Sequence, residues 1–115
     1  MGLTTHVLDT ATGKPARGLR VVLYRMDAPA TKITQAVTNE DGRCDRPLVE
    51  DGDLAPGRYE LVFHAGAYFD AQDIDLPEPK FLDEIPIRFG ISDGTAHYHV
   101  PLLLSPFGYS TYRGS

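Results

Sequence analysis

Residues 58–65, RYELVFHA, place Tyr59, Leu61 and Phe63 on one side of an extended chain and Arg58, Glu60 and His64, with Val62 between them, on the other. Period-two alternation suits a half-buried strand and not a helix. Short runs of β type return at 3–9, 19–26, 31–38, 84–91, 96–104 and 108–113. Nine prolines and eleven glycines stand among them, and such residues end a strand before it can lengthen. Residues 10–18 and 39–43 read as turns, with Gly42 free to take a positive φ in the second. A short strand is expected after Arg43. Only GAYFDAQD, residues 66–73, reads as helix, of about two turns. Pro86 assigns the 84–91 strand to a sheet edge, where a missing N–H costs nothing. Seven or eight short strands with regular turn signals predict an all-β, two-sheet sandwich.

A chain of 115 residues makes one domain, spanning 1–115, with one modest core. Its hydrophobic content of 42% and charged content of 23% exclude disorder and a membrane-spanning chain. The net charge of −5, without a basic cluster, speaks against nucleic acid as a partner. The single cysteine, Cys44, cannot form an intrachain disulfide, which suits a reducing compartment. The first residues lack the basic-then-apolar pattern of a signal peptide. MGLTTH has the outline of a myristoylation site, but residues 3–9 read as strand. These features predict a cytoplasmic protein with no membrane partner.

Alternation also sorts the polar residues by face. In the first strand Leu3, Thr5 and Val7 share one side, and Thr4, His6 and Leu8 the other. In HYHVPLLL, Tyr98, Val100, Leu102 and Leu104 make an apolar face that must be core. His97, His99, Pro101 and Leu103 therefore point outward. In the last strand Ser110 and Tyr112 share a side, opposite Tyr109, Thr111 and Arg113. If the first strand and the last two are neighbours, His6, His99, Ser110 and Tyr112 lie on one outer face. Leu8, Pro101 and Leu103 would lie there too, and an apolar stripe on such a face calls for something to cover it.

Three chemistries are open to this set. His97-x-His99 with His6 offers three imidazoles, the ligand type of catalytic zinc, but neither CxxC nor HExxH accompanies them. Ser105 or Ser110 offers a hydroxyl nucleophile, but G-x-S-x-G is absent and Ser105-Pro106 has turn chemistry. General acid–base catalysis needs only a histidine to activate water and a cation to hold the substrate.

LTTHVLDTATGKPARGL at the start and HYHVPLLLSPFGYSTYRGS at the end closely resemble the 5-hydroxyisourate hydrolases, the transthyretin-related enzymes of purine breakdown. TNEDGR (38–43), GRYELVFHAGAYF (57–69) and IPIRFGI (85–91) carry the resemblance through nearly the whole chain, and the terminal YRGS is its most specific piece. The resemblance implies a transthyretin-like sandwich of eight strands with one short helix. It also implies a homotetramer of 222 symmetry with active sites between dimers. The implied reaction hydrolyses 5-hydroxyisourate to 2-oxo-4-hydroxy-4-carboxy-5-ureidoimidazoline, with no cofactor and no metal. The residues it singles out are His6, Arg43 and His99, with Ser110 among the catalytic groups and Tyr112, His6 and Arg43 on the substrate. His97 is left structural, and Arg46, Arg88 and Arg113 are read as surface or strand-pairing charges. The alternative on the same scaffold is a non-catalytic small-ligand carrier.

Overall fold

The computed structural model describes residues 2–115. In chain order the elements are β1 (Leu3–Thr4), β2 (Val7–Asp9), β3 (Lys14–Pro15), β4 (Arg20–Arg25), β5 (Thr31–Val37), β6 (Gly57–His64), α1 (Ala65–Ala71), β7 (Glu84–Ile91), β8 (Tyr98–His99), β9 (Leu102–Ser105) and β10 (Gly108–Thr111).

The 3–9 run, expected as one strand, is β1 and β2, and the 96–104 run is β8 and β9. The pieces nevertheless keep one register. β1 pairs in parallel with β8 through Leu3–Tyr98 and Thr4–His99, and β2 pairs with β9 through Val7–Leu102, at the same offset. Pro101 interrupts the ladder because it has no N–H to donate. Val100 N–H donates to Thr4 O at 2.9 Å, Leu102 N–H to His6 O at 2.8 Å, and the Thr5 hydroxyl to Val100 O at 2.7 Å. The break therefore leaves these backbone groups satisfied. With each interrupted pair read as one strand, the sandwich has eight.

One sheet has the order β10-β9-β2-β3, prolonged by β1-β8; the other runs β5-β4-β6-β7. β3 lies in a stretch expected to be turn alone, and it pairs back on β2. β7 is an edge strand with Pro86 exposed, as its proline requires. The strand expected after Arg43 is reduced to two isolated bridges, His6–Arg43 and Leu3–Val49. Alternation places Val7, Leu102 and Leu104 of the first sheet against Val21, Leu61, Phe63 and Ile85 of the second, all buried in one core.

The helix starts one residue earlier than expected and buries Tyr68 and Phe69. The Tyr68 hydroxyl donates to Asp9 Oδ2 at 2.8 Å. Asp9 Oδ1 accepts the N–H groups of Ala11 and Thr12 at 3.0 and 3.2 Å. This buried carboxylate ties the helix to the end of β2. Among the described residues no helix is long and apolar enough to cross a membrane.

Candidate active site

The site lies where the ladder is interrupted, with the turn at 39–43 on one side and the C-terminal tail on the other. Asn39 Oδ1 accepts the N–H groups of Asp41 and Arg43 at 2.9 and 3.2 Å. Gly42 holds φ at 73°, and a Cβ there would collide with Val7 O. A glycine is thus needed both for the backbone and for the close approach. Val7 N–H donates to Gly42 O at 2.8 Å, which fixes the turn on β2 and leaves Arg43 bridged to His6.

His99 enters from β8. Its Nδ1 is 2.8 Å from Thr4 Oγ1 on the neighbouring strand, and its carbonyl accepts Gly114 N–H at 2.8 Å. After Thr111 the tail leaves regular pairing and meets His99 again at the isolated Gly114 bridge. Arg113 secures this path, with its guanidinium 4.1 Å from the centre of the Tyr98 ring, a favourable cation–π distance. His97 stacks on His99, with ring centres 6.4 Å apart and planes 18° from parallel. His97 Nδ1 lies 3.1 Å from Gly2 O. A carbonyl only accepts, so that nitrogen carries the proton.

These groups surround a cavity of about 400 Å³ whose walls include His6, Arg43, His99 and Tyr112. Four of the five expected site residues therefore meet in one place. Ser110 does not line the cavity. It is exposed on β10 in a cross-sheet row with Leu103 and Leu8, because the tail turns toward His99 only after Thr111. Pro101 also departs from expectation: it is buried rather than part of an outer stripe, whereas Leu8 and Leu103 are half-buried there. His64 ends β6 and is not on the cavity wall.

Among the other wall residues, Thr4, His97 and Arg46 lie outside the expected acid–base set. His97 and Thr4 share the outward phase with His99 and His6, so alternation held a signal for both. Arg46 sits in an irregular segment with no such phase, and only the fold brings it to the cavity.

Among the described residues no Asp or Glu side chain lines the cavity, so Arg43 and Arg46 share its wall with the histidines and have no acidic side chain beside them there. The His99 pKa is pushed below its ordinary value, first by burial and then by the positive charges of Arg43, His6 and His97. Its imidazole is therefore neutral at neutral pH and able to take a proton. Cys44 also lines the cavity. Burial, with Asp45 nearby, raises its pKa, which keeps it a thiol and a poor nucleophile. Among the described residues no group of three or more His, Cys, Asp or Glu is arranged to hold a metal ion.

A neutral imidazole, a half-open cationic cavity and a hydroxyl-bearing tail are the parts of a general acid–base site for a small polar substrate. Known proteins agree with this. The chain is 60% identical over 114 residues to 5-hydroxyisourate hydrolase 2 of Rhizobium meliloti, covering 98% of this chain and 95% of that one. It superposes on the structure of Klebsiella pneumoniae 5-hydroxyisourate hydrolase with a TM-score of 0.82 at 36% identity, over the whole of both chains. The crystal structure of transthyretin from Sparus aurata matches with a TM-score of 0.86 at 28% identity, over 98% of this chain and 96% of that one. Residues 3–114 match the family model described as HIUase/Transthyretin. With the sandwich, the cavity and these full-length likenesses in agreement, the chain belongs to the HIUase/Transthyretin family.

Proposed function

We propose that this chain hydrolyses 5-hydroxyisourate, with His6, Arg43 and His99 as the catalytic groups and Tyr112 on the substrate. The observation that carries the reading is the meeting of these four side chains in one cavity, in a chain 60% identical to a named hydrolase of that substrate. A carrier needs an apolar channel, and the two arginines and three histidines here do not suit one.

In the proposed reaction a neutral imidazole, of His6 or His99, takes a proton from water as the water oxygen bonds to a ring carbonyl carbon. Arg43 holds the carbonyl oxygen and stabilises the negative charge that develops on it. The C–N bond then breaks, and the leaving nitrogen takes the proton the first imidazole gained from water, with the other histidine assisting its delivery, so both rings end neutral. The opened ring carries a new carboxylic acid, which ionises at neutral pH. Tyr112 orients the substrate. Ser110 takes part only if a second dimer closes over the outer face and completes the site. Such a cover would bury Leu8 and Leu103 and exclude water, which strengthens the work of Arg43. We therefore read the working form as a cytoplasmic homotetramer with its sites between dimers.

The test generates 5-hydroxyisourate from urate with urate oxidase and follows its ultraviolet decay. The protein should accelerate that decay by orders of magnitude, about 10⁶-fold or more being ordinary for enzymes. The rate should persist after exhaustive chelation. Decay at the spontaneous rate would overturn the hydrolase reading. Loss on chelation with recovery on adding zinc would replace the mechanism with a metal-assisted one.

A further inference from the structure

We propose that Gly114 is a positioning residue for His99: having no side chain, it lets the tail backbone lie against the imidazole and press it toward Thr4. The inference rests on the reading that His99 acts in the hydrolysis, and it concerns what keeps that ring in place.

A glycine is needed either for an unusual backbone conformation or for a close approach. Gly42 has φ at +73°, whereas Gly114 is outside the left-handed region. Close approach is left as its reason. A Cβ built on Gly114 would stand 3.4 Å from His99 Cβ, 3.2 Å from Cγ, and closer still to Cδ2. The neighbour it would strike is thus the imidazole itself.

Neither side has a free way out. The tail is held by the Gly114 N–H bond to His99 O at 2.8 Å. The ring is held by Thr4 Oγ1 at 2.8 Å from Nδ1, and His97 stacks on it. Thr4 occupies Nδ1, so Nε2 is the nitrogen left for proton transfer. A methyl group at position 114 must therefore peel away the tail or tip the ring off Thr4. A displacement near 1 Å in a reacting group can cost about 100-fold in rate.

The experiment compares wild type, Gly114→Ala and Gly90→Ala. Gly90 lies on β7 with no atom within 4 Å of a Cβ built there, so its variant controls for adding a methyl to an extended strand. The readouts are kcat and KM in the decay assay and the long-range ¹H–¹⁵N spectrum of the histidine rings, followed through pH. In Gly114→Ala, kcat should fall about 100-fold, with KM changing far less. The His99 ring signals should shift, and its titration should move up toward the ordinary histidine value as the ring loses cover. Gly90→Ala should match wild type in both readouts. A Gly114→Ala protein with wild-type kcat and unchanged His99 signals overturns the proposal. If that variant does not fold, a chain ending at Arg113 removes the packing atoms without adding bulk. It should show the same loss and a loosened His99 ring, and wild-type behaviour in it overturns the proposal equally. An inactive wild type would reject the hydrolase reading alone, because the ring spectra still decide whether Gly114 positions His99.

Discussion

On the outer face of the β5-β4-β6-β7 sheet two arginines have polar side-chain partners. Arg88 Nε donates to Glu60 Oε2 at 2.8 Å, and Arg20 donates to Gln35 Oε1 at 2.9 Å. The cavity beside β1 and β8 is built the other way. It gathers Arg43, Arg46, His6, His97 and His99 with no Asp or Glu side chain on its wall among the described residues, in a chain of net charge −5. A matched surface charge is already stabilised and has little left to give a ligand. Cations that no Asp or Glu side chain neutralises keep their electrostatic capacity for an incoming oxygen. The same residue type thus does different work on the two sheets. Arg20 and Arg88 are paired on the surface, and on the function proposed above Arg43 is left to meet a substrate.

The strongest way to break this contrast is to remove one charge from each region. His6→Ala, Arg43→Ala or His99→Ala should each lower kcat/KM by about 10²- to 10⁴-fold, the range of positioned acid–base groups, and circular dichroism should be unchanged. Their side chains point out of the core, so truncation leaves no core cavity. Arg88→Ala should leave the same rate within error, since exposed ion pairs contribute little. Equal losses in the two regions would show that the cavity charges are not specially placed.

A smaller effect is expected at the tail. Tyr112→Phe keeps the ring and removes one hydroxyl from the cavity wall. It should raise KM or lower kcat by about 10-fold, the scale of one hydrogen bond to substrate. Ser110→Ala sharpens the boundary of the site. Ser110 is off the cavity in the single chain, so a comparable loss there, present in the assembled protein, would locate Ser110 at a site completed by another copy. Sedimentation run alongside the assay distinguishes loss of assembly from loss of chemistry.

The smallest expected effect concerns pH. Burial and the neighbouring cations favour neutral His99, so the acidic limb of kcat/KM should lie below the ordinary histidine value. Activity is kept above that pKa and lost as pH falls through it. His97→Phe keeps a ring in the stack and removes one positive neighbour. The acidic limb should then move up, modestly, because burial is the larger cause and remains. A downward shift would mean that His97 is not a source of positive charge at His99.

Much of the fold is visible in the chain as written. Alternation in 58–65 and 96–104 identifies the inner faces correctly, and Pro86 marks the edge strand. The breaks at Thr5 and Pro101 were less legible. Both stretches keep their alternation through the interruption, and only the missing N–H of proline, set against a paired neighbour, splits the ladder. The same holds for the segment after Arg43. It runs along β1 and β2 yet pairs only at Arg43 and Val49, a matter of spacing that local propensity does not carry.

The sequence by itself determined which side chains could face outward, since a period of two follows from backbone geometry alone. It thereby put His6, His97, His99 and Thr4 on the outward side before any neighbour was known. What only the tertiary structure decided is which of these share one cavity. The parallel pairing of β1 with β8 sets Thr4 on His99, and the Gly42 contact with Val7 sets Arg43 beside His6. The late turn of the tail brings in Tyr112 and Gly114 while leaving Ser110 on the open sheet. These are contacts between residues far apart in the chain, fixed by strand order and by close approach, and neither is written in any local pattern.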